Sequence, residues 1–274
     1  MSVGDPSRDL ECGSQRTLRS FTDALGRRVE VLWPPRRIVS LVPSLSDTLA
    51  ALELDEEVIA ITRFCTEPSR WRKEKKLIGG TKDPKIEKIL SLRPDLIIAN
   101  REENRREDVE ALNAKVPVYV TEPNRVSEAI EMIRALGPLV DRTDAAGRLA
   151  TSIESAFTAI SQRGERPRRT LYLIWRRPWM AAGRETFIGD VLTRGGFESC
   201  CAGRYPVLSD DELRALEPEL VLLSSEPYAF RERHRAELKE LCPAAEIRLV
   251  DGMPFSWYGP QLLRVPRLLK ELSL

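Results

Sequence analysis

A single histidine, His234, is the whole imidazole supply of this 274-residue chain. That count disfavours both a histidine-rich site for a bare transition metal and a histidine-based catalytic triad. His234 sits in the charged stretch "FRERHRAELKE", where a solvent-facing position is expected. The five cysteines (Cys12, Cys65, Cys200, Cys201, Cys242) are odd in number and contain no CxxC pair, so neither a zinc site nor a disulfide framework is expected. A reducing compartment suits them, and Cys200-Cys201 reads as two small buried residues. There is no GxGxxG and no GxxxxGK[ST]; "IGGTKD" (78–83) has too few of the elements a phosphate loop needs. An excess of one charge is missing as well. Lys+Arg number 43 and Asp+Glu 42, and the formal charge of +1 gives no global field for nucleic acid or an anionic membrane. No apolar run approaches the ~18 residues of a membrane span. The opening "MSVGDPSRDLECGSQRTLRSF" has no apolar signal segment, so the chain as written is expected in the cytoplasm, and in the periplasm if the natural start lies upstream.

What is present is ordinary globular material, 42% hydrophobic and 31% charged, in a length that suits two lobes with a core each. Residues 1 to about 20 read as a disordered lead, followed by a small hairpin turning at Leu25-Gly26. Aliphatic strands at 37–42, 57–62, 95–100 and 116–121 then alternate with helical patterns, as in βαβ units. From Val126 to about Gln162 only helical periodicity is seen, with a break expected at Gly137-Pro138. "TLYLIW", "WMAAG", "ELVLLSS" (219–225) and "EIRLVD" (246–251) restart the alternation. The spacing predicts an α/β protein of two lobes, each a mostly parallel sheet flanked by helices, joined by one long backbone helix. The expected limits are a lead and hairpin start at 1–28, a first lobe at 29–142, the connecting helix at 143–164 and a second lobe at 165–274.

The two halves echo each other. "KIEKILSLRPDLIIANREEN" and "SDDELRALEPELVLLSSEPY" share a helix, a Leu-x-Pro-acid-Leu signature and an aliphatic strand, and Pro94 and Pro218 lie 124 residues apart. The pattern favours a duplication.

In parallel α/β sheets, ligands bind beyond the C-terminal ends of the strands. Those ends carry Arg63-Phe64-Cys65, Asn100-Arg101 with Glu103, Trp175-Arg176 with Trp179, Glu226 with Tyr228, and Asp251 with Trp257-Tyr258. Indoles offer contact area and guanidinium groups bind carboxylate or phosphate in pairs of bonds, so the set suits a planar or anionic small molecule. Trp175, Trp179, Trp257 and Tyr258 would stack on it. Arg63, Lys82, Arg101 and Arg176 would pair with its anionic groups, and Asn100, Glu103 and Glu226 would fix its polar edge. Cys65 next to Arg63 reads alternatively as a thiolate nucleophile or metal ligand.

Assembled in order, "RRIVSLVPSLSDTLAAL", "IGGTKDPKIEKILSLRPDLIIA", the lone long helix, "MAAGRETFIGDVLTRGG", "ELRALEPELVLLSS" and "SWYGPQLLRVPRLLKEL" resemble the substrate-binding proteins of ABC importers for cobalamin and iron–siderophore complexes. The resemblance covers about 29 to 274. It implies a ligand held between two lobes with modest hinge motion, no intrinsic cofactor, and a corrinoid or ferric chelate as ligand. It matches Pro43 to the family's proline after the first strand, Phe64 and Tyr205 to its cleft aromatics, and Asp251, Trp257 and Tyr258 to the groups before its last helix. The family's indoles near Thr81 and Asn100 have no aromatic counterpart here. The acids through which members dock on their permease correspond to Glu87 and Asp211. A monomer without nucleic-acid partner is expected. Two other readings stand on the same residues: a cytoplasmic enzyme or cofactor-handling protein using Cys65 with Glu103, and a stand-alone sensor.

Overall fold

The structure is a computed structural model that describes residues 16–160 and 166–273; Cys12 and the first three residues of "RGERPRR" lie outside them. The hairpin starts earlier than the expected lead allows. Strands β1 (Thr17–Thr22) and β2 (Arg28–Trp33) pair antiparallel around a turn held by one side chain. The Asp23 carboxylate accepts from the Leu25 and Arg27 N–H groups and from the Arg27 guanidinium, and Gly26 takes φ +72°, where a Cβ is strained.

The first lobe is a five-stranded parallel sheet in the order β5-β4-β3-β6-β7, made of β3 (Ile38–Ser40), β4 (Val58–Ile61), β5 (Lys76–Leu77), β6 (Leu96–Asn100) and β7 (Val118–Thr121). Helices α1 (Pro43–Ala51), α2 (Trp71–Glu74), α3 (Ile86–Ser91) and α4 (Arg106–Asn113) connect its strands. The hairpin turn covers the β7 edge: Ala24 N–H donates to the Val120 carbonyl and Val120 N–H to Asp23, which blunts an otherwise open strand.

Helix α5 (Val126–Leu139) does not break at Gly137-Pro138. Pro138 falls in its last turn, and the chain turns after Leu139, with Asp141 at φ +59°. Gly137 is there for another reason: a Cβ on it would lie 2.7 Å from the Ala146 Cβ of α6 (Thr143–Thr158), so its absence lets the two helices touch. At ~1.5 Å per residue α6 spans roughly 24 Å. It starts beside the first lobe, where Arg142 pairs with Glu57 at 2.7 Å, and ends beside the second, where Arg194 lies over Phe157.

The second lobe is a six-stranded sheet in the order β11-β9-β8-β12-β13, with β10 also on β8. Its members are β8 (Arg168–Trp175), β9 (Trp179–Ala182), β10 (Phe197–Ser199), β11 (Val207–Leu208), β12 (Leu220–Ser224) and β13 (Glu246–Val250). Only β9 runs against the others, so its pairings with β8 and β11 are both antiparallel. The helices are α7 (Phe187–Arg194), capped by the Thr186 hydroxyl, α8 (Asp210–Ala215), opened by a Ser209/Glu212 capping box, α9 (Glu232–Leu241), α10 (Met253–Ser256) and, after a 3₁₀ turn at Pro260–Arg264, α11 (Val265–Leu272).

The internal echo extends to individual bonds. Asp95 N–H donates to the Arg37 carbonyl and Arg37 N–H returns to the Asp95 carboxylate at 2.9 Å. Glu219 N–H donates to the Arg169 carbonyl and Arg169 N–H returns to the Glu219 carboxylate at 2.8 Å. The residue before each proline, Arg93 or Glu217, has a positive φ. The Leu-x-Pro-acid-Leu signature is thus a clamp that ties the turn before β6 or β12 to the start of β3 or β8.

Alternate residues of β8 feed two cores. Tyr172 and Ile174 join a core that runs without interruption from the first lobe through α5, α6 and α7 to Phe255, Tyr258 and Val265. Leu171 and Leu173 join a second core under α8 and α9 on the opposite face, with Trp179, Phe230 and Leu238.

Candidate functional site

The C-terminal ends of the two sheets meet each other through their loops. Thr48, one turn into α1, donates to the Tyr258 carbonyl at 2.6 Å, and Gln261 donates to Asp47 at 3.0 Å. Arg204, in the loop after β10, donates to Glu102 and to Asn124 at 2.9 Å each. The α7 carboxylate of Asp190 accepts from Val126 N–H at 2.9 Å and so caps α5 from the other lobe. Between Arg204 and the first lobe lies a cavity of about 320 Å³ lined by Asn100, Arg101, Glu102, Glu122, Pro123 and Asn124.

The "NREEN" stretch forms its floor by a local network. The Asn100 side-chain oxygen accepts from the Glu102 and Glu103 N–H groups at 2.9 and 3.1 Å. Asn104 accepts from Asn100 N–H and donates to the Leu41 and Thr81 carbonyls, tying this loop to the ends of β3 and β5. Both asparagines are buried and spend their side chains on bonds within the first lobe, so Asn100 shapes the loop beside the cavity. What it presents is Glu103. Burial, then the neighbouring Glu102 carboxylate, raise the Glu103 carboxyl to about 7; Lys82 opposes this and Glu226 on the other lobe adds to it. Glu226 is raised too, chiefly by burial, while the Trp257 indole N–H donates to it at 3.0 Å. Ser224 orients Glu226 by accepting from its N–H and donating to its carbonyl.

The aromatic residues divide. Phe64, Trp175 and Tyr205 are exposed by 52%, 41% and 37%, large apolar surface left open at strand ends. Arg63 lies 4.9 Å from the Phe64 ring and Arg204 5.8 Å from Tyr205. Trp257 and Tyr258 are sealed at 6% and 5%, with Tyr258 edge-on to Phe187. Pro43 is buried as the first residue of α1.

"IWRRPWM" departs most from expectation. Trp179 is only 2% exposed, lies in the second core stacked parallel to Phe230, and donates to Asp210 at 2.8 Å. Arg176 lies 4.0 Å above it and pairs with Glu237 of α9. Neither side chain is a cleft wall: Trp179 belongs to the second core and Arg176 lies between it and α9. Trp175 packs edge-on against Tyr228, which packs against Phe230 and His234. His234 is therefore buried, not solvent-facing. Its Nδ1 accepts from Arg231 N–H at 2.9 Å and its Nε2 lies 3.1 Å from the Tyr228 hydroxyl. A charge-rich helix sequence hid it, because the signal for its burial is the aromatic loop Tyr228–Phe230, not its own neighbours.

The cations expected to meet an anionic ligand are engaged as well. Arg63 pairs with Asp83 at 3.2 Å, Arg101 takes both Glu122 oxygens at 2.8 and 2.9 Å, and Lys82 donates to the Glu102 carbonyl at 2.7 Å. Asp251 pairs with Arg264 at 2.7 Å. Cys65 is 1% exposed between the Ser46 and Thr62 hydroxyls, at 3.1 and 3.3 Å; burial pushes its thiol up, and Glu103 pushes the same way. A thiol so placed is a poor nucleophile. Arg204, Glu122, Pro123 and Asn124, not expected from the sequence, are brought to the site by the structure; the signal of Arg204 was buried among many arginines. Glu87 and Asp211 are exposed in the first turns of α3 and α8, equivalent places in the duplication.

Two α/β lobes meeting at their strand ends and spanned by a helix define a two-lobed binding protein. The chain belongs to the periplasmic binding protein family, whose description matches residues 38–241. It is 22% identical over 237 residues to the vitamin B12-binding protein of Pectobacterium carotovorum, covering 84% of this chain and 85% of the relative. The periplasmic vitamin B12-binding protein BtuF of Vibrio cholerae superposes with a TM-score of 0.71 at 21% identity, covering 86% and 95%. The periplasmic heme-binding protein HutB of Vibrio cholerae gives 0.73 at 19% identity, covering 87% and 99%.

Proposed function

We propose that the chain binds a metal-chelate small molecule of the corrinoid or haem kind between its lobes, without turnover, as the substrate-binding component of an ABC importer. The observation that carries this reading is the exposure of Phe64, Trp175 and Tyr205 in loops that follow strands of both sheets. A flat conjugated ring needs aromatic faces and polar groups at its rim, and this is what those loops offer. The relatives that bind vitamin B12 and heme support the ligand class. Glu87 and Asp211 are the permease-docking acids in this reading, and the working place is the extracytoplasmic side of a membrane. The buried Cys65 thiol gives an enzymatic alternative no activated nucleophile.

The test is titration of the purified protein with cyanocobalamin, haemin and a ferric siderophore, following absorbance and Tm. Saturable binding of one of them, with the chelate recovered unchanged, is expected. No binding by any of the three, or a changed product, would overturn the reading. Fractionation of the source cells tests the location.

A further inference from the structure

The charges at the lobe junction do not balance group by group. Four guanidinium groups there have a carboxylate of the chain: Arg63 has Asp83, Arg101 has Glu122, Arg204 has Glu102 and Arg264 has Asp251, while Arg72 and Lys82 donate to backbone carbonyls instead. Glu103 and Glu226 have none. Among the described residues neither enters an ion pair, and the Glu103 carboxyl accepts no hydrogen bond; Glu226 accepts one, from Trp257. They stand on opposite lobes, Glu103 after β6 and Glu226 after β12. Tyr258 is 95% buried in the sense of its 5% exposure, and it enters the described hydrogen bonds through its backbone carbonyl, not its hydroxyl. The groups that bear on that ring are Glu103 and Glu102 from the first lobe and Tyr205 and Arg204 from the second.

An ungrouped carboxylate in a half-buried place rejects anions, and an acceptor without a donor disfavours any occupant that cannot supply one. We propose that Glu103 and Glu226 select a chelate whose rim carries hydrogen-bond donors, amide or ammonium groups, over one rimmed with carboxylates. The inference rests on the function proposed above and adds the chemistry of the ligand's edge. It reverses the expectation that arginines of this cleft hold an anionic ligand, since those arginines are already paired.

Dicyanocobinamide and haemin make a matched pair of probes, both metal macrocycles, one rimmed with amides and the other with two carboxylates. At pH 8 dicyanocobinamide should bind at least ~10-fold more tightly, the size of one unfavourable charged contact. Glu103→Gln, isosteric and checked for folding by Tm, should tighten haemin and close much of that gap. Glu226→Gln should act in the same direction. The groups facing Glu103 are Glu102, Lys82 and Cys65 of its own lobe and Glu226, Tyr205 and Tyr258 of the other. Because Glu103 takes up its proton as pH falls through about 7, haemin affinity should rise between pH 8 and 6 in the wild type and much less in Glu103→Gln. Haemin binding as tightly as dicyanocobinamide at pH 8, with a ratio that neither substitution moves, overturns this inference and leaves the binding function standing. Binding of neither probe, nor of the ferric siderophore, overturns both.

Discussion

Trp175 and Trp179 are four residues apart and do different work. Trp179 fills the second core and holds Asp210 at the start of α8; Trp175 is 41% exposed at the end of β8. Trp179→Ala should therefore cost ~3–5 kcal/mol in urea denaturation, as for other large core aromatics, whereas Trp175→Ala should cost about 1 kcal/mol or less and show its effect in ligand affinity. A reversed order would mean that the outer layer, not the junction, receives Trp175. His234 supplies a second residue-scale prediction. Its Nδ1 accepts a backbone N–H, so the folded protein holds it neutral; burial first, then Arg233, depress it below the ordinary 6.5, while Glu237 opposes them. A base depressed on folding stabilises the native state above its unfolded value and loses that contribution as pH falls through 6.5 toward the folded value. Tm should decline between pH 7.5 and 5, and His234→Gln should flatten that part of the profile.

At the scale of elements, the sequence pattern was enough where an element depends on its own residues. The alternation of aliphatic strands and helices, the hairpin turn at Gly26 and the Leu-x-Pro-acid-Leu clamp all follow from local rules, and the structure contains each of them. The pattern failed where a partner decides. Gly137 looked like a helix break but is a contact point for α6, and the side of the sheet taken by Trp179 depends on which residues of β8 pair with β9. Candidate site residues were legible by position at strand ends. Their roles were not, because whether Arg101 or Arg176 is free depends on Glu122 and Glu237, carried by other elements. The clamp makes its own prediction. Arg93 and Glu217 hold positive φ values of 48° and 43°, where a Cβ is unfavourable. Arg93→Gly or Glu217→Gly should raise stability by up to ~1 kcal/mol, partly offset by the added freedom of the unfolded chain. Equal effects at the two sites, read from urea midpoints, would extend the duplication from geometry to energetics.

The whole molecule is held together by its junction as much as by either sheet. One apolar core passes from β3 and α1 through α5, α6 and α7 to α10 and α11, so the second lobe has a core of its own only on its outer face and shares the inner one with the first lobe. Lobes that share a core cannot swing widely without exposing it, and hydrophobic exposure at ~25 cal/mol per Å² makes a wide opening costly. Unfolding should accordingly be one cooperative event, with coincident urea transitions by tryptophan fluorescence and by far-ultraviolet circular dichroism. The junction also has a point where it can be pried apart. Gly259 has φ +129°, and a Cβ there would lie 2.2 Å from the Thr48 hydroxyl of the facing lobe. Gly259→Ala must therefore displace Thr48, which donates to the neighbouring Tyr258 carbonyl. We expect this variant to lower Tm, enlarge the radius of gyration measured by small-angle scattering, and weaken chelate binding. Gly26→Ala, also at positive φ but in the open hairpin turn, should lower Tm without the other two effects. If both variants lost stability and neither changed radius nor affinity, the junction would be a passive seam, and the ligand site would have to be sought within a single lobe.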